Sequence, residues 1–299
     1  MNIHSIFNLI TNPSKLYRTL LQRKYPGGVL CDRTAISLLY KQRFGENPNL
    51  NDPMSFNEKL LWLTLNDRRK EYVTMVDKYK AKEYIASIVG EQYVIKNLGS
   101  WSNTKLIDFS QLPSKYVLKC NHDSGSVVIC NNTKPKKEEL QKLDKALKRN
   151  YFWFSREWAY KNVKPLIFAE EYIECINEEE GIIDYKIYCF NGVAKYILVI
   201  SHRASGGKET FFDIDWNVLN VSKGYARHEI PPIKPNNIAE MIDIANKLSN
   251  GIPFLRVDLF IDEKGRIKVG ELTLTPSSGM IKFSPDEYDK MFGDELILP

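Results

Sequence analysis

No two cysteines in the 299-residue chain are spaced as C-x-x-C. The five present, Cys31, Cys120, Cys130, Cys175 and Cys189, are scattered and odd in number. That argues against a disulfide framework and a zinc site, and points to a reducing compartment, the cytosol. The four histidines, His4, His122, His202 and His228, show no metal-ligand spacing. G-x-S-x-G is absent and no Cys/His pairing is evident, so nucleophilic hydrolase chemistry is not expected. G-x-x-x-x-G-K-[ST] is also absent, which removes a Walker-type phosphate loop. The opening MNIHSIFNLITNPSKLYRTLLQRKY is interrupted by Asn12, Pro13 and Lys15 and has no small-residue cleavage site. With no apolar run long enough to cross a bilayer, neither a secretion signal nor a membrane span is expected. Charge of one sign does not dominate: 42 basic and 37 acidic residues leave +5, a balance that suits anionic small substrates as well as it suits nucleic acid.

What the chain has is enough apolar content, 43%, to bury a large core, at a length that normally divides into lobes. Three regions are expected. Residues 1–75 read as helical, with apolar side chains at three-four spacing over 37–43, 56–65 and 69–76. Residues 76–165 mix a helix over 78–88, strands over 116–120 and 127–130 and a charged helix over 136–148, as in a small α/β lobe. Residues 166–299 carry strands over 166–172, 185–190 and 194–200, a helix over 238–248 and a closing hairpin. The PPIKPNN stretch, 231–237, reads as a surface connection.

Three constellations could carry chemistry. In KYVLKCNHDSGSVVIC, Lys119 ends an apolar strand before a polar loop with Ser124, Gly125 and Ser126. Such a loop can cradle phosphate through hydroxyls, N–H groups and a glycine that admits close approach, although taken alone it fits a plain solvated hairpin turn better. IFAEEYIE and DYKIYCFNG place Glu170 and Asp184 at strand ends. Their carboxylates would suit adenine amino and ribose hydroxyl donors, and ordinary strand-end solvation explains them as well. The third is FLRVDLFIDEKGRIKVGELTL, read as a hairpin whose period-two alternation puts Arg256, Asp258 and Phe260 on one face and sets Asp258 opposite Glu271. Two carboxylates facing each other across a ladder repel, so the pair asks for a cation. Hard oxygen ligands favour Mg²⁺, and a plain salt bridge from Arg256 is the alternative. The aromatic stretch YFWFSREWAY, 151–160, reads as packing.

The order of these pieces, a lysine helix, a lysine strand with its glycine loop, an acidic strand end, and an R-x-D hairpin closed by E-x-T, resembles the ATP-grasp superfamily. More closely, DKYKAKEYI, YVLKCNHDSGS, FAEEYIE, DYKIYCFNG, FLRVDLF and GELTLTPSSGM resemble the teichuronopeptide-biosynthesis type. The resemblance implies an α+β ATP-grasp fold, two lobes clasping ATP behind a helical N-terminal region. It implies that Lys78 and Lys119 bind phosphates, that Glu170, Glu171, Tyr172 and Ile173 form the adenine hinge, and that Asp184 meets the ribose. Asp258 and Glu271 would hold Mg²⁺, with Thr273 where the superfamily usually has asparagine, while Lys186 and the His202-Arg203 pair stand where relatives place basic groups for phosphate or substrate.

The expected function is an ATP-dependent carboxylate–amine ligase working through an acyl phosphate, with Arg256 stabilising the developing charge. By the resemblance, its substrate belongs to a surface polysaccharide or its precursor. A phosphotransferase or glycosyltransferase acting on a glycan is the alternative enzyme, although no D-x-D stands in the strand-end loops of the first half. A module binding nucleic acid or another anionic polymer is the non-enzymatic alternative, disfavoured because a buried acid pair repels a polyanion. Over 1–25, apolar Ile6, Phe7, Leu9, Ile10, Leu16, Leu20 and Leu21 interleave with Lys15, Arg18, Arg23 and Lys24. That stretch is expected either to dock on the protein body or to rest on the inner face of an anionic membrane.

Overall fold

The segment Asp184–Phe190 is buried at all seven positions, as a strand must be when structure covers both of its faces. In the computed structural model, which describes residues 31–299, it lies inside a seven-stranded sheet. The amphipathic stretch over 1–25 lies outside the described residues. Helices come first: α1 (Asp32–Phe44), α2 (Phe56–Asn66), α3 (Glu71–Val76) and α4 (Ala81–Val89). Then follow β1 (Asn97–Trp101), β2 (Lys115–Cys120), β3 (Val127–Asn131), α5 (Lys137–Leu147), α6 (Phe152–Ser155) and β4 (Ile167–Glu171). The remainder is β5 (Asp184–Phe190), β6 (Val193–Ser201), β7 (Lys208–Asp213), β8 (Val218–Leu219), β9 (Ala226–Arg227), α7 (Ile238–Ser249), β10 (Phe254–Ile261), β11 (Ile267–Thr273) and α8 (Glu287–Glu295).

A four-stranded antiparallel sheet runs β1-β4-β2-β3, and the larger sheet runs β11-β10-β5-β6-β7-β8 with β9 beside β7. Strand β4 thus pairs with β1 and β2, although the expected division at 165/166 counts it with the second lobe. Four strands, β1, β7 and the two-residue β8 and β9, are not among those the sequence predicts. NLGSW is too short and too polar to alternate clearly, and β7 follows the glycine pair Gly206-Gly207, which reads as loop. The helix expected from 78 begins at Ala81, because residues 78–80 form a turn.

Ser55 caps α2 and Glu58 answers it in a capping box, so the helix starts where its apolar face does. That face carries Phe56 onto one side of the large sheet, against Phe254 with ring centroids 4.9 Å apart and Phe190 at 5.6 Å, and Phe292 of α8 closes the cluster. The other side of the sheet is covered by α3, α4 and α7 around Ile187, Ile197, Leu255 and Val257. The four-stranded sheet packs Leu118, Cys120, Val128 and Ile167 against Leu143 and Ala146 of α5.

The aromatic cluster covers only one end of its sheet face. Directly paired residues share a face, so the partners Tyr188↔Arg256↔Thr273 and Lys186↔Asp258↔Glu271 continue the same surface as Phe190 and Phe254, and Ile200↔Glu209 extends it. Along these strands an apolar floor gives way to a charged one within two residue pairs, and the cavity opens there.

Candidate active site

The hairpin β10–β11 has the register that the alternation predicts, Asp258 opposite Glu271 and Arg256 opposite Thr273. The register then slips, so Leu259 pairs with Val269 and Gly270 is left over as a bulge. Gly270 is required by close approach: a Cβ there would overlap the Phe260 ring.

The two carboxylates find cations among the protein's own side chains. Arg256 grips Asp258 with both ends of its guanidinium, Nε to Oδ1 at 2.6 Å and Nη2 to Oδ2 at 2.8 Å, and Nη2 also donates to the Thr273 hydroxyl at 3.1 Å. Lys186, from β5, donates to the same Asp258 carboxylate. Burial pushes the Asp258 carboxyl up, but Arg256 and Lys186 outweigh it and hold the group below the usual carboxylate range. Glu271 pairs with Lys78 at 3.0 Å; burial raises its carboxyl, and Lys78 more than offsets that, so it also stays ionised. The Arg256 salt bridge, the alternative to a metal at this hairpin, is thus present, and the two carboxylates face each other beside it.

Lys78 ties two regions together. It sits in the turn before α4, its Nζ donates to the Asp123 carbonyl at 2.7 Å while it pairs with Glu271, and its N–H bonds the Asn121 carbonyl. The fully buried Asn121 side chain anchors this loop, donating to Asp77 Oδ1 and the Lys164 carbonyl and accepting from the Leu166 N–H. In the loop, Ser126 donates to Asp123. Gly125 adopts φ +89° with open space around it, so its glycine is demanded by backbone conformation rather than by a protein neighbour.

A cavity of about 570 Å³ collects Ser124, Lys186, Arg203, Arg256, Asp258, Glu271 and Thr273. Other predicted residues stand outside its lining. Asp184 is buried at the start of β5, bonded by Arg203 and 3.6 Å from Lys186. Both carboxylate oxygens of Glu170 are engaged by lysines, Oε1 by Lys119 and Oε2 by Lys82 at 2.7 Å, rather than left open to an adenine amino group or to solvent. Burial raises Glu170, and the two lysines reverse the shift. Glu171 is exposed, and Tyr172 and Ile173 are half-buried beyond the end of β4.

Several cavity residues escaped the sequence reading. Outside the cavity, Lys82, which holds Glu170, stands four residues after Lys78, a spacing that flags it. Tyr151, Glu157 and Tyr160 line the cavity from the stretch read only as packing, while Phe152 from the same stretch is in the core. Glu209 and Lys223 also line it. Glu209 is fully buried and accepts from the N–H groups of Lys223 and Gly224, and burial with the nearby Arg256 and Lys186 pulls the Lys223 ammonium down to about 7. Ser277 and Ser278 reach the cavity with φ of +53° and +55°, a left-handed backbone unusual for serine. No local pattern marks Tyr151, Glu157, Tyr160, Glu209 or Lys223 as site residues, whereas Ser277 and Ser278 lie within GELTLTPSSGM.

The donor set Asp258, Glu271 and Thr273 is two carboxylates and a hydroxyl, all hard oxygens, which fits Mg²⁺ if phosphate oxygens complete the shell. Among the described residues no cluster of three or more His, Cys, Asp or Glu could hold a metal by itself. Asp258 and Thr273 already bond Arg256, while Glu271, opposite Asp258 across the ladder, pairs with Lys78.

No curated protein matches the chain. Solved structures similar to it include D-alanine–D-alanine ligase from Bacillus anthracis complexed with ATP, at 16% identity over 67% of this chain and 55% of that one, TM-score 0.40. N5-carboxyaminoimidazole synthetase from Staphylococcus aureus complexed with ADP is 14% identical over 84% and 52%, TM-score 0.40. L-amino acid ligase from Bacillus licheniformis is 14% identical over 83% and 49%, TM-score 0.43. The match spans about half the length of those chains. The family model described as TupA-like ATP-grasp matches residues 58–297, most of the chain and every site segment discussed above, and the protein belongs to that family.

Proposed function

We propose that the protein is an ATP-dependent carboxylate–amine ligase: a substrate carboxylate takes the γ-phosphoryl group, and an amine captures the acyl phosphate as an amide. The observation that carries this reading is the carboxylate pair Asp258 and Glu271 at the wall of the cavity, flanked by Arg256, Lys186, Lys78 and Lys223. A transferring phosphoryl group and the oxyanion that follows it both need fixed positive charge in a site shielded from water. Arg256, held at both ends by Asp258, is pre-positioned to supply it. Lys78 and the loop of Ser124, Gly125 and Ser126 would meet the phosphates, as would Lys119. The backbone over 170–173 would read adenine, which leaves the Glu170 carboxylate to its lysines, and Asp184 would meet the ribose. Mg²⁺ held by Asp258, Glu271 and Thr273 would neutralise the phosphates. Residues 76–165 and 166–299 would form the two clasping lobes. Polar hydroxyls along the cavity, from Thr275, Ser277, Ser278 and Tyr225, suit a polyhydroxylated substrate such as a surface-polysaccharide unit or its precursor.

ATP with Mg²⁺ is expected to raise the melting temperature, because a ligand that binds only the native state stabilises it by mass action, and GTP is expected to do so much less. Equal shifts with both nucleotides would sink the adenine assignment. Product analysis then separates ligase from kinase: amide and ADP in the first case, phosphoester and ADP in the second.

A further inference from the structure

Two of the cavity's carboxylates, Asp258 and Glu271, are each held by a cation. A third, Glu209, accepts from backbone N–H groups. Glu157 is different. It is 7% exposed, lines the cavity, and among the described residues its carboxylate is bonded by a hydroxyl, Ser278 Oγ donating to Oε1 at 3.2 Å. Its own N–H is fixed on the Ser155 hydroxyl at 3.2 Å. Ser278 is itself held in the left-handed backbone region, a costly conformation that persists only where the surroundings enforce it. Its carboxylate is thus met by two neutral hydroxyls, those of Ser278 and Ser155, with no cation within ion-pair distance among the described residues, and it stands at the wall of the cavity where it can accept from a substrate.

We propose that Glu157 accepts the proton that the incoming amine must lose before it attacks the acyl phosphate. The inference rests on the ligase reading. An amino group with an ordinary pKa near 8 arrives mostly as ammonium at neutral pH. The Glu157 carboxylate takes one proton, the neutral nitrogen bonds to the acyl carbon, and the carbon–oxygen bond to phosphate breaks with its electron pair leaving on phosphate. The second nitrogen proton goes to the departing phosphate, and Glu157 later returns its proton to water. An ordinary glutamate, near 4.3, would be too weak a base for this transfer. Burial pushes the Glu157 carboxyl up to about 7, although the Ser155 and Ser278 hydroxyls and Lys78 pull it down; Glu271 adds to the rise. The groups facing it are Lys78 from the turn before α4, Glu271 from β11, and the phenols of Tyr151 and Tyr160. Both phenols are raised by burial and are neutral at this pH. On its far side, a small cavity shared with Glu157 includes Asp67, which is paired with Arg69, and Tyr72. The base is the ionised form, so amine capture should fall off as pH drops below about 7.

The test uses the full chain with ATP, Mg²⁺ and a panel of uronic acids and amino acids as carboxylates, with either amino acids or hydroxylamine as the nucleophile. Hydroxylamine is largely unprotonated at neutral pH and needs no base. Glu157→Gln keeps the acceptor for Ser278 and loses the proton site. It should form hydroxamate at the parental rate, form amide about 10²–10⁴-fold more slowly, and lose the limb near pH 7. Parental amide formation by Glu157→Gln overturns the proposal, and so does an equal loss with both nucleophiles, which would mark a positioning role. If the parent protein forms no hydroxamate with any carboxylate, the ligase reading itself fails and this inference goes with it.

Discussion

Asp258 decides more of the site than any other side chain. Buried at 2% exposure, it accepts from two ends of Arg256 and from Lys186. A carboxylate removed from water survives ionised only with such company. Replacing it with asparagine leaves the buried Arg256 guanidinium without its counter-ion and the Lys186 ammonium with only Asp184, 3.6 Å away. Asp258→Asn should therefore destabilise the nucleotide-free protein by about 3–5 kcal/mol, a drop of several degrees or more in melting temperature by calorimetry, and also abolish ATP consumption. Glu271→Gln should abolish consumption at a smaller cost in stability. Its carboxylate is one-third exposed and its partner Lys78 already bonds the Asp123 carbonyl, so water and that carbonyl compensate. The hairpin spacing alone suggests the opposite for Asp258, that removing one of two repelling acids relieves a cost. The cations that reverse the sign come from β5 and from within β10, and only the folded sheet aligns them.

The elements are positioned by a few contacts of close approach. Helix α8 lies against the start of α2, where Gly293 meets the backbone of Met54, Ser55 and Phe56, and Lys59 of α2 donates to the Gly293 and Leu296 carbonyls at 2.8 Å each, closing the end of α8. Gly293→Ala in an isolated helix would gain up to about 1 kcal/mol from propensity. Here the new methyl would overlap backbone that cannot rotate away, and overpacking of about 1–3 kcal/mol or more wins. The variant should melt lower than the parent, and a higher melting temperature would show that α8 shifts freely. The consequence reaches the site, because α2 and α8 cover the apolar end of the sheet face whose other end is the charged floor.

Lys78 couples the two sheets. It touches the loop after β2 on one side and Glu271 of β11 on the other, so the loop read as a phosphate cradle and the hairpin read as a metal site share one side chain. Losing a charge-assisted hydrogen bond costs about 1.5–3 kcal/mol. Lys78→Met should therefore speed amide hydrogen exchange about tenfold or more in both the 121–126 loop and the 270–273 segment, while α7 keeps its protection. Unchanged exchange in both segments would show that the bridge is not what holds them together. Residue identity and spacing determined much of this molecule by themselves. Alternation set the register of Asp258 with Glu271, capping chemistry set the start of α2, and six short motifs in order indicated the ATP-grasp family. These features are local, or depend only on order along the chain. Tertiary structure alone decided that Lys186 joins Arg256 on Asp258 and that Lys78 meets Glu271, that Glu170 is taken up by Lys82 and Lys119, and that Glu157, Glu209 and Lys223 belong to the cavity. Desolvation and pairing depend on distances across strands and loops far apart in sequence, and no periodicity encodes those.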